Sequence, residues 1–265
     1  MNIWQAILMG LIQGLTEFLP VSSSGHLLLG RLIMGIETPP MVFEVIVHCG
    51  TLVAVLFVLR QDILRILKNP LGKLMRYLVI ATVPAVIVTL LFSGFIETAF
   101  AGNGYLLAGG FLCTGVILSL SEYFSARQSK QKKFEQMDAL DALTMGGMQA
   151  VALIPGISRS GSTIAGGIMR GLNRKLAARF AFLMSVPAIL GSLVFELKDL
   201  IEFGASGVGV LPLIVGFVVA AISGFFAIRF MLNLISNQKL YGFAIYVAIL
   251  GIFVLCDTLF IHWLF

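Results

Sequence analysis

The stretch PGISRSGST, residues 155–163, places an arginine, four hydroxyl side chains and two glycines inside an otherwise apolar region. An arginine in such surroundings needs a partner, because an unpaired charge is costly to remove from water. Guanidinium, hydroxyls and backbone N–H groups at Gly156 and Gly161 are donors that suit an oxyanion such as phosphate. The stretch therefore predicts a phosphate cradle around Arg159. A helix break held by arginine–carbonyl hydrogen bonds is the structural alternative.

The composition around this stretch predicts a membrane protein. Of the 265 residues, 58% are hydrophobic and 12% are charged, whereas soluble domains average about 25% charged residues. We expect an all-α polytopic integral membrane protein. The three cysteines lie in apolar runs without the spacing of a metal site, so they are interpreted as core residues.

Six segments approach the length of about 20 apolar residues that spans a bilayer. They are Met41–Leu59, Leu78–Ile96, Tyr105–Leu120, Leu176–Leu197, Val208–Ile228 and Phe243–Leu264. Two further regions, 3–36 and 139–171, each consist of two short apolar pieces separated by Pro, Ser and Gly. Such pieces predict re-entrant helix–loop–helix hairpins, which membranes tolerate where protein or a wet cavity surrounds the loop.

The two predicted hairpins resemble each other. A shift of 136 positions aligns eight identical residues: Met9 with Met145, Gly10 with Gly146, Gln13 with Gln149, Ser22 with Ser158, Ser24 with Ser160, Gly25 with Gly161, Gly30 with Gly166 and Gly35 with Gly171. Each half then has one hairpin and three spanning helices, which predicts an inverted-topology repeat whose broken helices meet near the midplane. Within a single membrane domain, 1–265, we expect a first repeat at 1–120, a basic cytoplasmic loop at 121–138 and a second repeat at 139–265.

The basic residues predict the orientation in the membrane. Segments 60–76, 121–138, 170–179 and 229–239 hold 15 of the 18 lysines and arginines, and cytoplasmic loops collect such residues. The connections at 97–104 and 198–207 would lie on the opposite side. We therefore expect both termini outside. Because the topology explains the net charge of +5, no nucleic-acid partner is expected.

The first hairpin carries the other candidate chemistry. Gln13 and Glu17 are four residues apart on one helix face, and Glu17 precedes the stretch SSSGH at 22–26. A carboxylate, a histidine and hydroxyls supply an acid/base pair, a nucleophile or metal ligand, and phosphate donors. The hairpin therefore predicts one half of a hydrolytic site. A hydrogen-bonded structural histidine is the alternative for His26 taken alone.

A second carboxylate and histidine follow in the next segment. Glu44 and His48 are four residues apart and share a helix face. They predict support for the site, with an ion pair between Glu44 and an arginine such as Arg179 as an equal alternative.

Two motifs in this order carry a family resemblance. QGLTEFLPVSSSGH (13–26) and PGISRSGST (155–163), together with FEVIVHCGTLVAV (43–55), resemble the undecaprenyl-diphosphate phosphatase family of bacteria, also known as the bacitracin-resistance protein family. The resemblance covers the whole chain. It implies removal of the terminal phosphate from undecaprenyl diphosphate, which recycles the lipid carrier of cell-wall synthesis.

The resemblance also implies roles for single residues. Glu17 would bind metal or act in acid/base chemistry, Arg159 would clamp phosphate, and the nucleophile would be His26 or Ser23. The other phosphate-binding candidates are Ser22, Ser24, Gly156, Ser158, Ser160, Gly161 and Thr163. The expected cofactor is a divalent cation, Mg²⁺ or Ca²⁺, bound by Glu17, with Gln13 as a second candidate ligand where the family often has glutamate.

The resemblance further implies a site in the bacterial cytoplasmic membrane that faces the periplasmic side, a polyprenyl diphosphate substrate and, as one option, a homodimer. Type-2 phosphatidic-acid phosphatases also combine Ser-Gly-His with Ser-Arg, but they place a histidine where this chain has Ala165. That family is therefore excluded. A transporter or flippase for a polyprenyl phosphate or another anionic lipid is the alternative that stays open, because inverted repeats with broken helices are a transporter architecture.

Overall fold

A computed structural model of the chain describes residues 1–36, 41–100, 104–128, 130–203 and 209–265, and over these ranges it contains helices and no β-sheet. The α-helices are α1 (Ile3–Phe18), α2 (Ser23–Ile33), α3 (Met41–Val58), α4 (Arg60–Lys68), α5 (Lys73–Phe100), α6 (Gly104–Ser125), α7 (Ala139–Val151), α8 (Arg159–Met169), α9 (Arg174–Phe203), α10 (Val210–Asn237) and α11 (Tyr241–Cys256). A 3₁₀ turn at Phe134–Gln136 precedes α7, and a π-helical turn at Asp257–Ile261 follows α11.

Five of the described helices are long and apolar enough to cross a bilayer. They contain the spans Lys73–Phe92, Gly104–Ser125, Arg174–Val194, Val210–Asn237 and Tyr241–Ile261. Helices α3 and α4 add a sixth span if they are counted as one, although the chain bends by 77° between them. The prediction of an all-α polytopic membrane protein is confirmed.

Several predicted boundaries were wrong because the helices continue beyond their apolar centres. The segment predicted at Leu78–Ile96 belongs to a helix that runs from Lys73 to Phe100, and α9 likewise reaches Phe203. The predicted connections at 97–104 and 198–207 are therefore partly helical, and residues 101–103 and 204–208 lie outside the described ranges. Lysine, arginine and glutamate are good helix formers, so a hydropathy pattern alone ends such helices too early.

The basic segment 60–76, predicted as a loop, contains the amphipathic helix α4. Its Asp62 accepts a hydrogen bond of 2.5 Å from Nη2 of Arg179 on α9. The suggested ion pair between Glu44 and Arg179 was therefore wrong. The backbone carbonyl of Glu44 is instead 2.8 Å from Nδ1 of His48. Arg229, also predicted in a loop, lies within α10.

The short helices α1 and α7 are held against long helices by close backbone contacts. A Cβ built on Gly10 of α1 would lie 2.7 Å from the carbonyl oxygen of Gly216 on α10. A Cβ on Gly146 of α7 would lie 2.3 Å from the carbonyl oxygen of Ala81 on α5. Small residues at these crossings let the backbones approach. The two short helices that precede the polar breaks are thus packed into the bundle.

An ion-pair cluster holds the segment that leads into α7. Asp141 is fully buried and accepts hydrogen bonds from Nζ of Lys132 at 2.9 Å and from Nε of Arg170 at 3.0 Å. Asp138 caps α7, because its carboxylate accepts the N–H of Asp141 at 2.8 Å. These contacts connect the basic segment to the start of α7 and to the end of α8.

Candidate active site

The first polar break lies between α1 and α2. Helix α1 ends at Phe18, and Ser22 caps α2 by accepting the N–H of Gly25 at 3.4 Å. Ser22 has a φ of +69°, which is uncommon for a residue other than glycine. Strained backbone of this kind clusters at functional sites. The turn brings Ser23, the first residue of α2, close to the end of α1.

The second break also ends in a serine cap, but its positive φ lies at Gly156 rather than at the cap residue. Ser158 caps α8 by accepting the N–H of Gly161 at 3.0 Å, and its own N–H donates to Oγ1 of Thr114 at 2.9 Å. Gly156 has a φ of +83°, and a Cβ there would lie 2.5 Å from the Leu107 carbonyl oxygen. Only glycine allows this turn and this approach to α6. Arg159 thereby becomes the first residue of α8.

The two breaks meet inside the bundle. Nη2 of Arg159 donates a hydrogen bond to Oε1 of Glu17, and the two side chains form an ion pair. Oγ of Ser160 donates to the carbonyl oxygen of Leu19 at 2.8 Å. Arg159 is therefore bound mainly to a carboxylate. The carbonyl of Ser185, at 3.5 Å from Nη1, is a weaker second acceptor.

Glu17 is the centre of the polar cluster. Its side chain is 5% exposed, and Oε2 accepts two further hydrogen bonds, from Nε2 of Gln13 at 3.1 Å and from Oγ of Ser23 at 2.5 Å. An ionised carboxylate accepts such donors strongly. Three other residues singled out from the sequence, Gln13, Ser23 and Arg159, thus each contact Glu17 directly.

His26 is oriented away from this carboxylate. Its Nδ1 lies 2.7 Å from the backbone oxygen of Ser22, and its Nε2 lies 2.7 Å from the hydroxyl of Tyr246 on α11. The ring also contacts Phe111 edge to face, with centroids 5.6 Å apart. His26 stands one helical turn after Ser23 on α2, so it borders the site without a direct hydrogen bond to Glu17.

The remaining phosphate-binding candidates mostly shape the breaks. Oγ1 of Thr163 donates to the carbonyl of Arg159 at 2.8 Å, and Ser160 bonds to Leu19. The Gly161 N–H is used by Ser158, and Gly161 is helical rather than a turn residue. The hydroxyls of Ser22 and Ser24 are 3.3 Å apart, as are those of Ser158 and Ser160.

The donor set suits a hard cation that is held partly by its substrate. Oε1 of Gln13 is buried and has no hydrogen-bond partner among the described residues, and the Glu17 carboxylate is adjacent. Over the same residues no group of three His, Cys, Asp or Glu side chains forms a closed metal site. Mg²⁺ is commonly held by one or two carboxylates together with substrate phosphates, and these residues fit that pattern.

Sequence reasoning missed three neighbours of the site. Thr114 on α6 binds the second break, the carbonyl of Ser185 faces Arg159, and Tyr246 binds His26. Threonine and serine in apolar helices usually bond their own backbone, and a lone tyrosine has no motif. No pattern in the sequence marked these positions.

The helices and the buried cluster define a multi-pass membrane protein with a polar site inside its bundle. The chain belongs to the family described as bacitracin resistance protein BacA, whose model matches residues 6–253. The family resemblance noted from the two motifs is thereby confirmed.

Curated relatives match the chain over nearly its whole length. A protein of Carboxydothermus hydrogenoformans named undecaprenyl-diphosphatase is 46% identical over 257 residues, which cover 96% of this chain and 97% of the relative. One from Methanobrevibacter smithii with the same name is 39% identical, covering 98% and 99%. Undecaprenyl-diphosphatase 4 of Bacillus cereus is 38% identical, covering 96% and 97%.

Proposed function

We propose that this protein is an undecaprenyl-diphosphate phosphatase. It removes the terminal phosphate of the diphosphate lipid and returns the monophosphate for recycling of the cell-wall carrier, an activity associated with bacitracin resistance. The observation that carries the proposal is the contact of Glu17 with Ser23 and Arg159, which unites a base, a nucleophile and an anion-binding group in one buried cluster.

The diphosphate binds where two helices begin. Helix α2 starts at Ser23 and α8 starts at Arg159, and the polar breaks that precede them are in contact. A helix N-terminus carries partial positive charge and attracts phosphate. Arg159 adds a planar fork that can hold two phosphate oxygens at once. A bound phosphate competes with Glu17 for the guanidinium of Arg159. When Arg159 binds the phosphate, the Glu17 carboxylate is free to act as a base.

The first chemical step is attack by Ser23. Its Oγ forms a bond to the terminal phosphorus, its proton passes to Oε2 of Glu17, and the bond between that phosphorus and the bridging oxygen breaks. The hydrogen bond of 2.5 Å from Ser23 to Glu17 supports this assignment. The leaving lipid phosphate has a second pKa of about 6, so it leaves at neutral pH without being protonated.

Water completes the reaction. One proton of the water passes to Nε2 of His26 while the water oxygen bonds to phosphorus, and the bond to Ser23 breaks as Glu17 returns its proton to Oγ. His26 suits this role because Nδ1 faces a carbonyl oxygen, which leaves Nε2 as the basic atom. Inorganic phosphate is then released, and Nε2 of His26 passes its proton to bulk water, which restores the starting state.

A divalent cation, Mg²⁺ or Ca²⁺, fits beside Glu17. Oε1 of Gln13, which has no hydrogen-bond partner in the part of the chain that the structure describes, would be its second oxygen ligand. Bound there, the cation would neutralise charge on the diphosphate oxygens. The site is built from residues of one chain, so the proposal does not require a homodimer.

The polyprenyl tail occupies an apolar cavity of about 590 Å³ between α3, α4, α5 and α9. Its α9 wall includes Leu183 and Val186, which flank Ser185, the residue whose carbonyl faces Arg159. The sites for the head group and the tail therefore share helix α9.

A Val83→Trp change, which narrows the cavity, should raise the KM for undecaprenyl diphosphate more than the KM for farnesyl diphosphate. An equal effect on the two substrates would contradict this placement.

The finer architecture is an inverted repeat of two re-entrant hairpins. Matching details support it: α1 packs on α10 as α7 packs on α5, and corresponding turns carry the same features. The shared features are the capping boxes at Asn2–Gln5 and Asp138–Asp141, the serine caps at Ser22 and Ser158, and the positive φ at Gly35 and Gly171.

The basic residues favour an orientation with both termini outside, and the family resemblance favours a site that opens outward. Single cysteines in a chain without Cys49, Cys113 and Cys256 test it. Lys130→Cys should react with an impermeant maleimide only after the inner membrane is opened, whereas Trp263→Cys should react in intact spheroplasts. The reverse pattern would refute the orientation.

The test of the function is phosphate release from undecaprenyl diphosphate by the purified protein in detergent, where transport is impossible. Release that stops with EDTA and resumes with Mg²⁺ or Ca²⁺ is the expected result. Folded protein that releases no phosphate would favour a lipid carrier, and lipid movement in liposomes would then be measured.

A further inference from the structure

The imidazole of His26 is fixed in one tautomer. Its Nδ1 lies 2.7 Å from the backbone oxygen of Ser22. A carbonyl oxygen accepts hydrogen bonds and never donates them, so Nδ1 must carry the ring proton. In the neutral ring Nε2 is then unprotonated and can only accept.

Tyr246 supplies the donor for that second nitrogen. Its hydroxyl lies 2.7 Å from Nε2 of His26, and the two rings are stacked, with centroids 5.7 Å apart and planes 18° apart. Phe111 also contacts the imidazole of His26, edge to face, with ring centroids 5.6 Å apart. The two residues are separated by 220 positions in sequence, so α11 is brought to the site to meet α2.

From this geometry we infer that Tyr246 is a positioning residue for the phosphatase reaction. Its O–H holds Nε2 of His26 in place in the resting site and gives way to the attacking water, which then becomes the partner of the same lone pair. Its stacked ring opposes rotation of the imidazole about χ2. The inference rests on the proposed function, because it assigns Tyr246 an effect on turnover. Nothing in the two sequence motifs includes this tyrosine, which lies in an apolar helix near the end of the chain.

Tyr246→Phe isolates the hydroxyl, since phenylalanine retains the stacked ring. Tyr246 is 47% exposed, so the substitution leaves no buried cavity and the variant should fold. We expect kcat to fall by about tenfold, the factor that corresponds to about 1.4 kcal/mol, while KM changes by less than about twofold because the phosphate contacts are intact. Tyr246→Leu, which also removes the ring, should lower kcat further.

A spectroscopic measurement separates positioning from a structural role. The chain has three histidines, so imidazole ¹⁵N spectra are simple, and a His26→Gln spectrum assigns the His26 signals. In Tyr246→Phe the Nε2 resonance of His26 should move toward the value of an imidazole nitrogen that accepts no hydrogen bond.

Tyr241→Phe is the matched control, because Tyr241 lies on the same helix and contacts Lys239, with the ammonium 5.9 Å from its ring centroid. It should change neither kcat nor the His26 signals.

Wild-type kcat in Tyr246→Phe would overturn the inference, whether or not the Nε2 resonance moves. An unchanged resonance would overturn it as well, because the hydrogen bond would not exist in solution. If the wild type itself releases no phosphate, the proposed function fails. The ¹⁵N comparison then still shows whether Tyr246 binds His26, so the two failures are distinguishable.

Discussion

Nη2 of Arg159 donates a hydrogen bond to Oε1 of Glu17 across 142 positions of sequence. Glu17 has 5% of its side chain exposed and Arg159 has 21%, so the pair is largely shielded from water. Breaking such a pair by removing one partner leaves an uncompensated buried charge. The contact therefore joins the two polar breaks structurally, and it places an anion-binding group beside the proposed base.

Arg159→Lys should lower phosphate release by about 100-fold, because a point charge does not reproduce the two-pronged contact of a guanidinium with phosphate. Arg159→Ala should lose more. The measurement is initial rate at saturating substrate, with detergent gel filtration to show that each variant is folded.

Arg229→Lys is the control for that change. Arg229 on α10 lies over the ring of Phe225, 5.4 Å from its centroid, and a lysine retains this cation–π contact. It should leave the rate unchanged. Near wild-type activity in Arg159→Lys would show that Arg159 does not clamp the phosphate.

Ser23→Ala and Ser24→Ala should distinguish the nucleophile from a residue that only binds the phosphate. Ser23 donates to Glu17, whereas Ser24 contacts the hydroxyl of Ser22. We expect Ser23→Ala to abolish turnover and Ser24→Ala chiefly to raise KM. Full activity of Ser23→Ala would exclude Ser23 as the nucleophile, and trapping of a phosphoserine after brief exposure to labelled substrate would support Ser23.

Gly110→Ala and Gly109→Ala test the packing of the second break on α6. A Cβ on Gly110 would lie 2.0 Å from the carbonyl oxygen of Pro155, whereas a Cβ on Gly109 would meet no atom of the described residues within 4 Å. Thermal unfolding in detergent should show that Gly110→Ala is destabilised by about 1–3 kcal/mol, as in other overpacked sites. Gly109→Ala should be neutral or slightly stabilised, because alanine favours the helix. Equal effects of the two changes would contradict the contact.

Acid should weaken the start of α7. The Asp141 N–H donates to the carboxylate of Asp138 and lowers the pKa of Asp138 below its ordinary value of 3.8. A lowered pKa means that Asp138 stabilises the folded state above the unfolded pKa, and that this contribution is lost as pH falls through the folded pKa. Asp138→Asn retains a capping side chain without the charge. The stability of this variant should therefore depend less on pH below about 4 than the stability of the wild type. Identical pH profiles of Tm for the wild type and Asp138→Asn would contradict this role.

The fold class and the two polar breaks were predictable because each rests on a local pattern. Apolar length indicated the spanning helices, and the identities at a shift of 136 positions pointed to two similar hairpins. Glu17, Ser23 and Arg159 were marked as polar residues in apolar surroundings. The sequence predicted that the two hairpins meet. Which of their side chains contact one another depends on how the two halves pack.

The pairings that were missed depend on tertiary structure. Arg179 meets Asp62 rather than Glu44, because the chain turns sharply into α4 after Val58. His26 meets Tyr246 because α11 passes beside α2. No spacing within one segment encodes either contact.

The most direct test of the central claim is a double-mutant cycle on phosphate release with Glu17→Gln, Arg159→Lys and the combined variant. If Glu17 and Arg159 act as one unit, each single change should reduce the rate by about 100-fold or more, and the combined loss should be close to the larger single loss. Single variants that retain wild-type rates, or losses that multiply in the double variant, would contradict a shared site at the meeting of the two breaks.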